Sequence, residues 1–436
     1  MRKSLCVGIL KERKPFEKRA PIVPKDVKWL VKHGIDVEIE SDDKRVFKDC
    51  EYKANGAKVV ERFEKANLLV GIKEPTLESI YTKKIYMVFS HTMKGQSQNA
   101  SLLKRFLENK ITLVDYEDIR DQFGKRLVYF GRFAGICGAV DSLYYLGKKL
   151  EYNGIKTPFL KLKPAREYIS FRKLREAVRE VNDTIERRGF DRRLSPFIIG
   201  ITGHGNASAG VQEILDLLNP IEVHPKDMLW FIKHRKGARN RMYKIVFLRE
   251  EKFRPKDRRE FYFEEYLKRP EHFESNLDKY LQFINLLIHT SYWDKRFPRL
   301  VTKDMMNNLA RRNIFRLEFI GDISCDINGS IELTYKSTTP QDPVFTYHPT
   351  KRIFTDGYQF SGVTVLAVDN LPTELPRDSS TEFSSLIREY VYQIAAHGAK
   401  DITNHAALPQ DVRGAVITQN GRLTKKYKYL KDYVYQ

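Results

Sequence analysis

Two sets of residues in this chain have types and spacing suited to chemistry. The first is Gly203-His204-Gly205-Asn206-Ala207-Ser208-Ala209-Gly210, which follows the apolar run PFIIGIT and precedes VQEILDLL. Backbone amides at the start of a helix bind pyrophosphate, because unsatisfied N–H groups and the helix dipole both favour negative charge. Gly203 and Gly205 suit a tight turn and close approach of a phosphate. The third position of G-x-G-x-x-G is Ser208, with Gly210 two residues later. A βα turn that binds nothing satisfies the same glycine pattern, so the flanking strand and helix carry the signal. An acidic residue at the end of the second strand would hold the ribose 2′-hydroxyl of NAD. IEVHPKD offers Glu222, His224 and Asp227 for that place, whereas Lys226, Arg235, Lys236 and Arg239 suit a 2′-phosphate. For any single one of the cations in HRKGARNR, a solvated loop is the better reading.

The second set lies nearer the start. GIKEP ends a strand at Lys73, and FSHTMK ends another at His91, with Lys94 beyond it. Ligands of α/β sheets bind at strand ends, and a Lys and a His at two such ends make an acid–base pair once burial and a neighbouring cation lower the lysine. Arg19 (EKRAP), Glu117 (VDYED) and Arg126 (GKRLV) add two cations and a carboxylate at similar places. Singly, His91 reads as a hydrogen-bonded strand-end histidine and Lys73 as a snorkelling surface lysine.

Elements must hold these residues in place. SLCVGIL, DVEIE, NLLVGIK, IYMVFSH and ITLVDYE are short Val/Ile/Leu runs, as buried strands would be. Residues 25–33 put Val27, Leu30 and Val31 on one helical face, and Gly34 follows as a stop. Strand 196–202, the glycine turn and helix 211–218 begin a second α/β region. Residues 224–313 are the least regular part, dense in Arg and Lys and aromatic from 261 to 293. Strands resume at 315–324 and 363–372, and a helical pattern covers 383–396. No internal repeat or low-complexity linker separates the parts. Strands alternating with helices predict an α/β layer architecture.

The chain has 436 residues, 42% hydrophobic and 31% charged, with 26 Phe and 23 Tyr, which suits two or three globular domains. That mix excludes a disordered tail or a collagen-like repeat, and no run reaches the length of a membrane helix. MRKSLCVGILKE passes from a short apolar run directly into charges and reads as a first strand, not a signal peptide. Cys6, Cys50, Cys137 and Cys325 are far apart, with no CxxC or Cys/His cluster, so neither disulfides nor a metal site is expected, and a reducing, cytoplasmic compartment is. Lys plus Arg number 77 and Asp plus Glu 56, a formal charge of +21. Nucleic acid is one explanation, but the cations spread over every segment without an RNA- or DNA-binding motif.

Together the motifs resemble a known family. EKRAPIVP, GIKEP, FSHTMKGQ, LVDYEDIRDQFGKRLVYFGRFAGICG, TGHGNASAG, SYWDKRFPRLVT, GDISCDINGSIE and VDNLPTELPRDSS look like the landmarks of lysine–2-oxoglutarate reductase, in order and across nearly the whole chain. This is the saccharopine-forming half of bifunctional aminoadipic semialdehyde synthase. More weakly, the chain is similar to lysine-forming saccharopine dehydrogenase and alanine dehydrogenase. The resemblance implies two Rossmann-like domains with an interdomain cleft, which closes to exclude water. The substrate domain would be 1–135 completed by 373–436, and the dinucleotide-binding domain 136–372. It implies condensation of lysine with 2-oxoglutarate and reduction by NADPH, with NADH the lesser choice. Lys73 and His91 match the acid–base pair, Arg19, Lys94 and Arg126 match carboxylate-binding positions, and Glu117 matches one near the amino groups. Gly203, Gly205, Asn206 and Ser208 would hold the pyrophosphate, with Asp322 and Asp369-Asn370-Leu371 at the nicotinamide end. The chain ends where the reductase region ends, so a separate saccharopine-cleaving enzyme is the expected partner, with no nucleic acid or membrane. The rivals are an NAD-dependent lysine-forming saccharopine dehydrogenase, another amino-acid dehydrogenase, or a basic nucleic-acid-binding protein. Two departures stand out: His204 inside the glycine turn, and Arg132 where relatives carry a neutral residue.

Overall fold

The computed structural model describes residues 5–93, 95, 99–234, 238–397 and 401–434. The short apolar runs form strands in it because nearly all are buried on both faces, as parallel sheets require. The chain divides into two compact units, residues 1–130 with 376–436 and residues 131–375.

In the first unit, β1 (Cys6–Ile9), β2 (Val37–Glu40), β3 (Lys58–Val60), β4 (Ala66–Val70), β5 (Ile85–Val88) and β6 (Thr112–Asp115) are parallel, in the order β3-β2-β1-β4-β5-β6. Strands Val416–Gln419 and Arg422–Leu423 extend the sheet antiparallel beyond β6. Even Glu38 in β2 is buried, because its Oε2 accepts the amides of Glu64, Lys65 and Ala66. Helix α1 (Pro24–Lys32) opens with proline in its first turn, where the missing N–H costs nothing, and stops before Gly34 at φ 81°. Helices α2 (Asp49–Ala54) and α3 (Ala100–Glu108) and strand β3 were not anticipated: α2 and β3 are short with few apolar residues, and α3 spans only nine residues, although Leu102, Leu103 and Phe106 give it a buried face. The helix expected over 383–396 begins earlier, at Pro376, and runs to Ala396. Its Phe383, Ile387, Val391 and Ile394 share a core with Val7, Ile9 and Leu68, and its Ser380 and Ser384 accept the amides of Ala20 and Val23.

The second unit opens with helix α4 (Gly131–Tyr152), then α5 (Phe171–Arg188), β7 (Phe197–Thr202) and α6 (Asn206–Asp216). Next come β8 (Ile221–Glu222), α7 (Met228–His234), β9 (Met242–Phe247), α8 (Arg249–Lys252), and the antiparallel pair β10 (Phe253–Pro255) and β11 (Phe273–Ser275). Strands β12 (Leu286–His289), β13 (Phe319–Asp322), β14 (Val344–His348), β15 (Ile353–Asp356) and β16 (Val363–Leu366) complete the sheet. Its order is β15-β14-β16-β13-β12-β7-β9-β8, parallel from β16 to β8 and antiparallel through β14 and β15. The segment 224–313 is therefore more regular than its composition suggests, since it supplies β9 and β12. Its aromatics Phe253, Tyr266, Phe273 and Tyr280 lie in one core. Among the described residues no helix is long and apolar enough to cross a membrane.

The run GRFAGICG forms the first turns of α4, and its glycines let two helices meet backbone to backbone. A Cβ on Gly135 would lie 1.9 Å from the Ala207 carbonyl oxygen, and one on Gly210 would lie 2.0 Å from that of Arg132. Neither obstacle is a flexible side chain, so α4 and α6 would have to separate. Gly210→Ala should cost about 3 kcal/mol, the upper range for overpacking, and lower the melting temperature of this unit by roughly 6–12 °C. Gly414→Ala, which meets nothing within 4 Å, should shift stability by less than about 0.5 kcal/mol. Calorimetry on the two variants and the parent checks both.

Candidate active site and dinucleotide turn

Parallel strands end on one edge of a sheet, and in the first unit four neighbours in the order β1, β4, β5, β6 each end in a reactive group. Glu12 lies beyond β1, Lys73 beyond β4, His91 beyond β5 and Glu117 beyond β6. Hydrogen bonds stitch the row together. Glu12 Oε1 accepts the Ile72 amide at 2.6 Å and Oε2 the Lys73 amide at 3.1 Å, while the Phe89 amide donates to the Ile72 carbonyl at 2.9 Å. Enclosure and the neighbouring Glu17 push the Glu12 carboxyl up to about 7.

His91 holds φ 54°, an uncommon left-handed conformation for a residue with a Cβ. Its carbonyl accepts from Asn99 Nδ2 at 3.0 Å. His91 Nδ1 lies 3.7 Å from Oε2 of the buried Glu117, whose Oε1 accepts from Arg126 at 3.1 Å. Behind them Asp115 accepts the Glu117 amide at 2.8 Å and the hydroxyl and amide of Ser90, and burial pushes its carboxyl up to about 6. Arg19 is buried, held at two nitrogens by Glu17 at 2.8 and 2.6 Å, and stacked 3.9 Å from the Phe130 ring centre. Thus His91, Glu117 and Arg126 form one connected group, and Lys73 belongs to the same row of strand ends. Arg19 is engaged by Glu17. Lys94 lies outside the described residues.

Glu12, Glu17, Ser90 and Asp115 were not picked out from the sequence. Glu12 follows its strand by the same spacing logic that marked Lys73, so that rule applied to β1 would have found it. Asp115 and Ser90 carry no local signal, because their importance comes from pairing across strands.

The second unit presents another strand-end row. Gly203, at φ 117°, packs so closely that a Cβ would lie 2.3 Å from Thr290 Oγ1, while the space around Gly205 is open. Gly205 caps α6, Asn206 begins it, and the buried Ser208 accepts from Gln212 at 3.3 Å. Asp322 ends β13, with Thr334 and Ser324 donating to it at 2.6 to 3.1 Å, and burial pushes its carboxyl up to about 6. Asp369, Asn370 and Leu371 follow β16 on the same edge, with Asn370 at φ 66°. A glycine turn with open space at the head of a helix, on the C-terminal edge of a parallel sheet, fits a dinucleotide pyrophosphate.

The second-strand expectation needs correcting. Strand 221–222 lies at the edge of the sheet as β8, and β9 stands between it and β7. Glu222 is taken by Lys244 at 3.1 Å, and His224 lies 3.5 Å from Glu251. Arg239 precedes β9 and donates to the Phe190 carbonyl at 2.9 Å, so it lies toward the opposite edge from the glycine turn. Lys226 and Asp227 belong to the short turn after β8, and Arg235 and Lys236 lie outside the described residues. Arg132 forms a two-bond pair with Glu213 at 2.8 and 2.9 Å, which gives this cation a partner within the second unit.

Both folds and both rows define a class, and the chain belongs to the alanine dehydrogenase/PNT family: residues 8–137 match its N-terminal domain and residues 240–426 its C-terminal domain. It is 33% identical over 442 residues to an alpha-aminoadipic semialdehyde synthase of Arabidopsis thaliana, covering 97% of this chain and 41% of that protein. It is also similar to a saccharopine dehydrogenase (NAD(+), L-lysine-forming) of Schizosaccharomyces pombe, 25% identical over 389 residues, covering 86% of this chain and 89% of that one. The chain spans under half the length of the aminoadipic semialdehyde synthases it matches. A solved L-alanine dehydrogenase superposes with a TM-score of 0.62 at 17% identity, over 98% of this chain and 99% of that one, a likeness of fold.

Glu12 also makes stability depend on pH. Its carboxyl is raised from an ordinary 4.5 to about 7, so across that window the folded state binds more protons than the unfolded one. Stability therefore falls as pH rises through the window, by on the order of 1–3 kcal/mol from this group. Glu12→Gln should shrink the fall between mildly acidic and mildly alkaline buffer by that amount. Urea unfolding of both proteins at the two pH values measures it.

Proposed function

We propose that this chain is a lysine–2-oxoglutarate reductase, which condenses the ε-amine of lysine with the keto carbon of 2-oxoglutarate and reduces the imine to saccharopine with NADPH. The observation that supports it most is the row Glu12, Lys73, His91 and Glu117 at four neighbouring strand ends, in a chain similar to aminoadipic semialdehyde synthases along almost its whole length. Bound nicotinamide dinucleotide supplies the hydride.

Proton transfer falls to the first unit. The ε-ammonium must lose a proton before it attacks, and the carbinolamine must lose its hydroxyl as water. Lys73 and His91 take up and return those protons, one at each of two neighbouring strand ends. Glu117, held by Arg126, lies beside His91 and stabilises its protonated form while the amine is deprotonated. Glu12 fixes the Lys73 backbone and adds a carboxyl that changes charge near neutrality. The two substrates bring three carboxylates, which Arg126, Lys94 and Arg19, the last shared with Glu17, take between them. Gly203, Gly205, Asn206 and Ser208 cradle the pyrophosphate, and Asp322 with Asp369, Asn370 and Leu371 borders the nicotinamide.

The purified protein should consume NADPH only when lysine and 2-oxoglutarate are both present, followed by loss of the reduced nicotinamide absorbance. No consumption from mildly acidic to mildly alkaline pH sinks the reading. Faster turnover with NADH, or turnover with pyruvate plus ammonia, transfers the chain to a lysine-forming saccharopine dehydrogenase or an alanine dehydrogenase. Lys73→Met should lower kcat by roughly 10²–10⁴-fold, the usual worth of a general acid–base group, while NADPH binding stays within about twofold. Unchanged turnover removes Lys73 from the mechanism.

A further inference from the structure

The sheet order of the second unit changes which residues stand at the adenosine ribose. In a dinucleotide fold the ribose 2′ position faces the end of the strand beside the glycine-turn strand, on the side away from the nicotinamide. Here that strand is β9, since Thr202 pairs with Phe247 in register. The next residues are Leu248 and Arg249, so an apolar side chain stands where NAD enzymes place a carboxylate and a guanidinium follows it.

Three basic groups converge there. Arg249 is exposed, makes no ion pair among the described residues, and lies with its guanidinium carbon 4.4 Å from the Phe263 ring centre. Stacking on the exposed Phe263 leaves the guanidinium edge, where its N–H groups point, available to an anion. His204, inside the glycine turn, lies beside the Phe247 backbone at the end of β9. Lys252, at the end of α8, is buried and donates to Ser291 Oγ at 2.9 Å, in the loop that packs against Gly203.

We propose that Arg249, backed by His204 and Lys252, forms the pocket for the 2′-phosphate of the dinucleotide and makes this chain select NADPH over NADH. The proposal rests on the reading that the β7 turn takes the dinucleotide. It also accounts for His204, the departure inside the glycine turn, as a second donor toward the same anion.

The charges around the pocket support it. Burial and the Arg249 cation push Lys252 down to about 8, and burial and Lys252 hold His204 below its ordinary value. Glu250 is the opposing exposed carboxylate in the group, while Glu251 is buried and faces His224. The buried His289 behind the turn accepts from or donates to Thr202 at 2.7 Å, and burial and Lys252 push it down to about 3. A phosphate arriving beside Lys252 favours its charged form, so NADPH should bind with proton uptake, and more tightly, as pH falls from alkaline toward neutral.

The test is calorimetric titration of the purified chain with adenosine 2′,5′-bisphosphate, AMP, NADPH and NADH. The parent should bind the bisphosphate roughly 10–100-fold more tightly than AMP, the worth of one or two charge-assisted hydrogen bonds. Arg249→Ala should reduce that ratio to within about threefold and weaken NADPH far more than NADH. Because the side chain is exposed, the variant should fold, which circular dichroism checks. Equal affinities in the parent, or equal loss of NADPH and NADH in the variant, overturn the proposal. So does a loss of NADH affinity in Glu250→Gln with the parent preferring NADH, which would make Glu250 the ribose ligand. If the bisphosphate preference and its loss in Arg249→Ala are seen without lysine-dependent turnover, the pocket stands and the reductase reading fails.

Discussion

A parallel strand covered on both faces can present a reactive side chain only where it ends. Both units of this protein are built under that constraint. In the first, β1, β4, β5 and β6 are buried almost throughout, and the ionisable Glu12, Lys73, His91 and Glu117 lie just beyond their last residues. In the second, β7, β12, β13 and β16 end at the glycine turn, His289, Asp322 and the Asp369 turn. Each row is a consequence of strand order, and a change of order would disperse residues whose sequence positions had not moved.

Holding a row of ionisable groups together requires balancing charge in a poorly solvated place. Glu17 neutralises Arg19, Arg126 partners Glu117, and the amides of Ile72 and Lys73 satisfy Glu12. Asp115 takes the Ser90 hydroxyl and two amides. The two groups with the least cationic support, Glu12 and Asp115, are the ones whose carboxyls rise toward neutrality.

The strands and the glycine turn were legible because burial on both faces leaves a continuous apolar run, and because only glycine fits at Gly203. The short α2, α3 and β3 were not, since their positions depend on the neighbours that cover them. The rank of β8 and β9 was also hidden: sequence order makes 221–222 the second strand, but sheet order makes 242–247 the neighbour of β7. Lys73 and His91 stood out as strand-end residues, whereas Ser90 and Asp115 matter only through a contact across two strands. The GRFAGICG run read as a family landmark, and its physical reason, the backbone contact of α4 with α6, needed the partner helix at Gly210.

The formal charge of +21 divides along the same lines. In the basic segment 224–313, Arg254 is paired with Glu274 and Asp278, and Arg259 with Asp257 and Glu265. These half-buried or exposed pairs lie among residues that also build an aromatic core, and pairs so open to water contribute little to stability. Arg249 and Lys252 belong to the same stretch of sequence but stand at the head of the sheet, where neither makes an ion pair among the described residues and Glu250 is the nearby carboxylate. Burying Lys252 beside the Arg249 cation costs stability in the empty protein, and Glu250 offsets only part of it. That cost would be offset by a bound anion, so the location of such cations, more than their number, is what the proposed 2′-phosphate pocket rests on.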